Sequence, residues 1–96
     1  MTAEARRTLL FIRECVEADR YALAVHFTQR MMERGLFWSD VQAVIDDPQD
    51  VRSEGMDKYS RPKWIVCGES ATGDVIEIVC AVEIDETEFI TIYWED

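Results

Sequence analysis

Apolar residues recur at spacings of three and four near the start of the chain, which is the period of a helix with one buried face. Thr2 precedes this run and is suited to cap the helix, because its hydroxyl can accept a hydrogen bond from a free backbone N–H group. Residues 9–12 are all apolar and would also suit a strand, but the charges on both sides favour a helix. The pattern predicts a helix over residues 3 to about 19, with its buried stripe at Ala5, Leu9, Ile12 and Val16.

Two further helices are predicted between residues 24 and 48. The first covers residues 24–34, and Gly35 follows it where helices commonly end in left-handed backbone. Ser39 and Gln42 have the spacing of a capping box, which predicts a short helix that Pro48 ends near residue 46 or 47. Residues 21–25 fit either a short extended segment or the start of the second helix.

The second helix has two chemically different faces. Its polar face carries the basic residues, and Met31 falls on the opposite, apolar face, so the Met31–Met32 pair is interpreted as core filling. The predicted buried positions of this helix are Ala24, Phe27, Thr28, Met31 and Met32.

Apolar alternation and turn residues replace helical spacing after Pro48. Strands are predicted over residues 50–54, 64–68, 75–84 and 89–94, and the turn-rich segment 69–74 makes the strands on either side of it antiparallel. Val79 and Ala81 make the longest strand apolar on both faces, as in a central strand. The order of elements predicts an α+β fold, with N-terminal helices packed on one face of a three- or four-stranded antiparallel sheet.

Length and charge narrow the functional classes. The 96 residues, 48% of them hydrophobic, suit one globular domain spanning residues 1–96. The net charge of -10 argues against general nucleic-acid binding, because phosphate binding needs an excess of cations. The charge is uneven: residues 1–48 carry eight acids and six bases, whereas residues 49–96 carry twelve acids and four bases. The helical half could therefore present a local basic face.

Three cysteines, Cys15, Cys67 and Cys80, lack CxxC spacing and lie in apolar surroundings. An odd number in this setting predicts buried reduced thiols rather than a disulfide framework or a zinc site. No apolar run is long enough for a signal peptide or a membrane span, so we expect a cytoplasmic protein that does not enter the membrane.

The candidate chemistry lies on the second helix, where His26, Arg30 and Arg34 recur every fourth position along one exposed face. Two guanidinium groups there could clamp a phosphate or carboxylate, and the imidazole could transfer a proton near neutral pH. These three residues are the candidate catalytic set, and the two arginines are the candidate anion site. A second basic group that could extend the anion site precedes the second predicted strand: Lys58, Arg61 and Lys63.

A structural role for the same residues is the alternative. Arg30 and Arg34 would then pair with Glu33 or with acids of the second half, and His26 would hold the start of the helix through a hydrogen bond. No second histidine or helical carboxylate lies at a ligand spacing from His26, so neither a metal site nor a cofactor is predicted.

Several other side chains have two interpretations. Trp38 is interpreted as a lid over the core rather than an exposed binding residue. Glu77 and Glu83 form a solvated sheet face or neutralise the basic helix. Three further aromatic residues suit packing at the core or its rim better than stacking on RNA bases, because Glu69, Glu95 and Asp96 near them would repel phosphate: Trp64, Tyr93 and Trp94.

The segment from His26 to Pro48 contains the pattern H-x-x-x-R-M-x-E-R-G, then D-V and D-P. This pattern resembles that of a family of small bacterial proteins described only as a domain of unknown function, over roughly residues 21–93. The element order also resembles that of RelE-type toxins, small ribonucleases that cut messenger RNA. The residues that carry the family resemblance are His26, Arg30, Met31, Glu33, Arg34, Gly35, Asp40, Val41, Asp47 and Pro48.

Two functional hypotheses follow from charge and resemblance together. The first is a non-catalytic interaction or regulatory module that binds a protein partner as one part of a toxin–antitoxin-like pair. The acidic composition favours this hypothesis. The second is a RelE-like ribonuclease, in which RNA is the partner, His26 acts as acid or base, and Arg30 and Arg34 hold the scissile phosphate. The sequence leaves the oligomeric state open.

Overall fold

The computed structural model describes residues 1–94, which contain three helices and five strands. The helices are α1, α2 and α3, and a short strand separates the first two. In chain order the elements are α1 (Ala3–Glu17), β1 (Tyr21–Leu23), α2 (Val25–Arg34), α3 (Trp38–Asp46), β2 (Asp50–Met56), β3 (Pro62–Glu69), β4 (Val75–Val82) and β5 (Thr87–Trp94).

The strands form one mixed sheet in the order β1-β5-β4-β3-β2. β2 to β5 are an antiparallel meander, as predicted, but β1 pairs in parallel with β5, with Tyr21 opposite Thr87. The predicted three- or four-stranded antiparallel sheet is therefore wrong in strand number and in type. The added strand is three residues long, and its partner is far away in sequence, so no local pattern distinguishes it from the start of a helix.

The α+β class is confirmed, but a layer of helices on one face of the sheet is not clearly seen. α1 contacts α3 and β2 at one edge of the sheet, α3 contacts β3, and α2 contacts β5 near the other edge. β1 separates the helices in this way, because it fastens the start of α2 to β5. The core nevertheless draws on all three helices and the sheet: Leu9, Ile12, Phe27, Val41, Val44, Val66, Ile78 and Phe89.

Three predicted helix boundaries are confirmed. The Ala5 N–H group donates to the Thr2 hydroxyl at 3.0 Å, which caps α1. Gly35 ends α2 with a φ of 67°, and Leu36 turns back into the core as its N–H donates to the Met31 carbonyl at 2.9 Å. α3 ends at Asp46, with Pro48 two residues later.

The predicted capping box of Ser39 and Gln42 is wrong, because α3 begins two residues earlier, at Trp38, with Phe37 at the capping position. The Asp40 carboxylate takes the role instead, and its Oδ2 accepts the Phe37 N–H at 2.8 Å. Its Oδ1 accepts the Ala71 N–H in the β3–β4 turn at 3.1 Å. Asp40 is only 4% exposed, so one buried carboxylate ties the start of α3 to a turn of the sheet.

The connection from α3 to the sheet is closely packed. The Gln49 N–H donates to the Cys67 carbonyl at 2.8 Å. A Cβ atom at Gly68 would lie 3.3 Å from the Pro48 Cα, so only a residue without a side chain fits there without displacement. The backbone after α3 therefore lies directly on β3.

The three cysteines are buried as reduced thiols, as predicted. Cys80 faces the core from β4, and burial raises the pKa of its thiol to about 12 because a thiolate would be desolvated there.

Replacing Asp40 with alanine should lower the free energy of unfolding by about 2 kcal/mol, because two backbone N–H groups lose their acceptor. Asp40→Asn retains one carbonyl oxygen and should lose about half as much. Asp46→Ala removes an exposed carboxylate from the same helix and serves as the control in urea unfolding. An Asp40→Ala loss no larger than the Asp46→Ala loss would contradict the structural role of Asp40.

The folded protein should lose stability between about pH 9 and pH 12 through Cys80. The pKa of this thiol is raised in the folded state, so unfolding releases a proton at alkaline pH and becomes more favourable as pH rises. The contribution should reach a slope of about 1.4 kcal/mol per pH unit in urea titrations. Cys80→Ala should remove this slope, whereas Cys15→Ala, which retains Cys80, should keep it. Equal slopes in the two variants would show that Cys80 is not the source.

Candidate functional site

The basic ridge consists of His26, Arg30 and Arg34, which lie one helical turn apart on α2. His26 and Arg34 are exposed, and Arg30 is half-buried at the edge of the sheet. The structure therefore brings the three candidate catalytic residues together on one side of the helix, as their spacing predicts.

Two aromatic side chains from the end of β5 support the arginines of the basic ridge. The Arg30 guanidinium carbon lies 5.5 Å from the centre of the Tyr93 ring, and that of Arg34 lies 5.4 Å from the centre of the Trp94 ring. Guanidinium groups at this distance are attracted to the electron-rich faces of aromatic rings. The two stacks hold the long arginine side chains against β5 instead of leaving them free in solvent.

The structural alternative expects Arg30 and Arg34 to pair with acids. Within residues 1–94 neither arginine forms such an ion pair. The Arg30 Nε is buried and has no hydrogen-bond acceptor in this part of the chain. Glu95 and Asp96, the acids expected to repel phosphate near Trp94, lie outside the described residues. The aromatic rings are thus the contacts that the structure provides for these two guanidinium groups.

His26 lies in the first turn of α2 with its side chain exposed. The structural alternative expects His26 to hold the start of the helix through a hydrogen bond. However, no side chain caps the N-terminus of α2, and Ala24 stands at the capping position. The imidazole is open to a ligand on the solvent side of the ridge.

The second basic group lies apart from the basic ridge. The Arg61 guanidinium contacts Asp57 at 2.8 Å, Glu88 at 2.8 Å and Glu83 at 3.9 Å. Glu88 and Tyr93 are five residues apart on β5, which corresponds to about 17 Å along a strand. The structure therefore does not bring Arg61 beside Arg30.

Arg61 is held as a cation by the acids around it. The hydrogen bond to Glu88 is the largest effect, and with Asp57 it raises the pKa of Arg61 despite partial burial. Burial alone would raise the pKa of Asp57, but hydrogen bonds from Arg61 and from the Tyr59 N–H lower it. The two lysines of this group have neighbours of their own: the Lys58 Nζ lies 5.2 Å from the Tyr59 ring centre, and Lys63 is half-buried on β3.

Glu77 and Glu83, which were expected to be solvated or to neutralise the basic helix, contact other arginines. Glu77 accepts from Arg52 at 2.7 Å, and Arg52 also contacts Asp50 at 2.9 Å. Arg52 stands out as a residue that sequence patterns missed, because its partner depends on the register of three strands. The pattern of acids and bases along the chain carries no signal of that register.

Arg13 is a second residue that sequence reasoning missed. Its side chain donates to the backbone carbonyl groups of Ile45 at 3.0 Å and Asp46 at 2.9 Å. Cations stabilise the carbonyl end of a helix, so Arg13 of α1 closes the end of α3. The signal was weak, because an arginine on a helix gives no indication of which other helix it will reach.

The solvent side of α2 differs from the prediction. Phe27 and Met31 are buried as expected, but Thr28 is exposed and Met32 is 77% exposed. Only the narrow side of the helix that carries Phe27 and Met31 is covered. Four exposed apolar residues in and beside α2 form what we call the apolar stripe: Leu23, Val25, Met32 and Phe37.

Two aromatic predictions on the core side are confirmed. Trp38 covers the core as a lid: its ring stacks on Tyr21 with centres 4.9 Å apart and meets Phe89 edge-on at 5.6 Å. Trp64 is buried in the core.

Neither a metal centre nor a membrane segment was found in the described part of the chain. Across residues 1–94, no three side chains of the His, Cys, Asp and Glu types are grouped to hold a metal ion. None of the helices described here combines the length and the apolar character needed to cross a bilayer.

Comparison with known proteins identifies the family of this chain. No curated protein and no solved structure gave a significant match to the chain. A family profile described as a domain of unknown function, DUF4258, matches residues 23–94, a span that includes the basic ridge, both stacking aromatics and all strands from β2 to β5. The match covers most of the 96 residues, and the chain belongs to the DUF4258 family.

Proposed function

We propose that this protein is a cytoplasmic interaction module whose basic ridge binds an acidic segment of a partner protein, as one half of a toxin–antitoxin-like pair. One observation carries the proposal. Arg52 and Arg61 are each matched by two or more acids, whereas Arg30 and Arg34 meet aromatic rings and no acid within residues 1–94. The acids within residues 1–94 thus leave these two cations unpaired, which supports their use by a ligand.

The stacks favour binding because they order the arginines before a partner arrives. A free arginine loses side-chain entropy when it binds, and stacking on Tyr93 or Trp94 reduces that loss. A planar guanidinium can then donate two parallel hydrogen bonds to a carboxylate. The basic ridge attracts an acidic segment locally even though the chain is acidic, because charges more than about 8–10 Å away are largely screened at physiological salt.

Reversing both ridge charges, with Arg30→Glu and Arg34→Glu together, should abolish partner binding. We expect tagged wild-type protein, expressed in its own cells and cross-linked, to co-purify with a partner identified by mass spectrometry. The double variant should bind this partner at least about tenfold more weakly, which is a loss of about 1.4 kcal/mol or more of binding free energy. Binding should also weaken as salt is raised.

The matched control is Arg6→Glu with Arg7→Glu, which makes the same charge change on the exposed side of α1. It should retain the partner at the wild-type level. Retention of the same partner by the Arg30→Glu and Arg34→Glu variant would exclude the basic ridge as the binding surface.

A second candidate function is a RelE-like ribonuclease, favoured by the position of His26. Its imidazole is exposed one turn before Arg30, so it could exchange a proton with a substrate that the two guanidinium groups hold by a phosphate. The rings of Tyr93 and Trp94 would suit single-stranded RNA, which proteins often hold through aromatic and arginine side chains.

The ribonuclease candidate predicts cleavage of RNA, or growth arrest on expression, by the wild-type protein. His26→Ala and Arg30→Ala should each lose the activity while keeping the wild-type circular dichroism spectrum, and Arg6→Ala should keep the activity. Intact RNA after incubation with wild-type protein, both with and without ribosomes, would rule this candidate out.

A further inference from the structure

The apolar stripe is a second surface of α2 that the proposed function does not use. Val25, Met32 and Phe37 are 74%, 77% and 72% exposed, and Leu23 is 40% exposed. Large apolar side chains grouped in this way on a charged protein mark a surface that another molecule covers. Val25 and Met32 lie on the solvent side of the helix, whereas Arg30 and Arg34 lie at the border with β5.

Spacing along α2 makes this surface complementary to itself. Val25 and Met32 are seven residues apart, two helical turns, and so are His26 and Glu33 on the neighbouring flank. A two-fold axis near residues 28 and 29 would place Val25 of one copy against Met32 of the other, twice. The same axis would place His26 beside Glu33 of the other copy, also twice. His26 then belongs to this contact, whereas the proposed function rests on Arg30 and Arg34.

We infer that this protein forms a two-fold symmetric homodimer through antiparallel packing of α2 against α2 of a second copy. Closed two-fold dimers use one patch on both subunits, so the patch must satisfy itself. Here apolar residues meet apolar residues, and an imidazole meets a carboxylate. Antiparallel helices also place opposite ends of their dipoles side by side.

The residues that flank α2 extend the same contact. Leu23 lies just before the helix and Phe37 just after it, at opposite ends. Antiparallel packing brings the end of α2 that carries Phe37 to the end that carries Leu23 in the second copy. Apolar side chains thus lie on both sides of the polar Thr28 and Gln29 at the axis and at both ends of the helix, which suits a paired helix better than a point contact.

The size of the stripe predicts a weak dimer. A ten-residue helix is about 15 Å long, so the contact falls below the roughly 800 Å² per partner of a standard interface. Two copies with a net charge of -10 also repel each other. We therefore expect a dissociation constant in the micromolar range that decreases as salt screens the repulsion. The salt response is opposite to that expected for the acidic partner of the basic ridge.

Sedimentation equilibrium of the full chain from about 5 to 500 μM should show a monomer–dimer equilibrium. Met32→Glu places a carboxylate against Val25 of the second copy and should raise the dissociation constant at least about tenfold. The control is Ile84→Glu, which makes the same kind of change at a residue that is 99% exposed in the turn between β4 and β5. It should leave the dissociation constant unchanged.

The antiparallel register is tested by exchanging the flank residues. His26→Glu alone would place two carboxylates together at both contacts and weaken the dimer. His26→Glu combined with Glu33→His restores a histidine–glutamate pair at both contacts and should recover most of the wild-type affinity. This recovery distinguishes the proposed register from nonspecific apolar association.

A wild-type protein that stays monomeric up to about 500 μM would overturn the inference, as would equal effects of Met32→Glu and Ile84→Glu. A double exchange no tighter than His26→Glu alone would overturn the register. The proposed function fails separately, because Arg30→Glu with Arg34→Glu should leave the dimer intact while removing the acidic partner.

Discussion

The parallel pairing of β1 with β5 is the contact on which the candidate site depends. The Thr87 N–H donates to the Arg20 carbonyl at 3.2 Å, and the Ala24 N–H donates to the Phe89 carbonyl at 2.9 Å, so both ends of β1 are fixed to one strand. α2 starts immediately after the second of these bonds. The helix is therefore carried along β5, and its arginines reach the aromatic rings at the end of that strand.

Aromatic packing strengthens the same junction from the core side. The ring centres of Phe27 and Tyr21 lie 5.7 and 6.0 Å from that of Phe89, and Trp38 covers the group. These rings join β1, α2, the start of α3 and β5 in one cluster. The position of the basic ridge is thus set by buried packing rather than by its own charges.

Three helix boundaries were predictable from local chemistry, whereas the capping of α3 and the long-range pairing were not. Thr2, Gly35 and Pro48 act through their own backbone or side chain, so their effects could be predicted from neighbouring residues alone. β1 has only three residues, and Asp40 gains importance from a turn thirty-one positions later, so neither leaves a local pattern. Helical spacing predicts a buried Met32, but this residue is exposed. Spacing gives the direction of a side chain and not the width of the surface that covers the helix. The spacing of His26, Arg30 and Arg34 was sufficient to place them together, whereas their aromatic neighbours required the register of β5.

The separation between β1 and β5 also has a kinetic consequence. Tyr21 and Thr87 are sixty-six positions apart, whereas β3, β4 and β5 pair with their neighbours in sequence. Closing a long loop costs entropy before its contacts form, so the meander should assemble first and β1 should join it late. During synthesis, β5 leaves the ribosome after every other strand described here. Until then α2 has no strand to lie on, and its apolar residues stay available to chaperones.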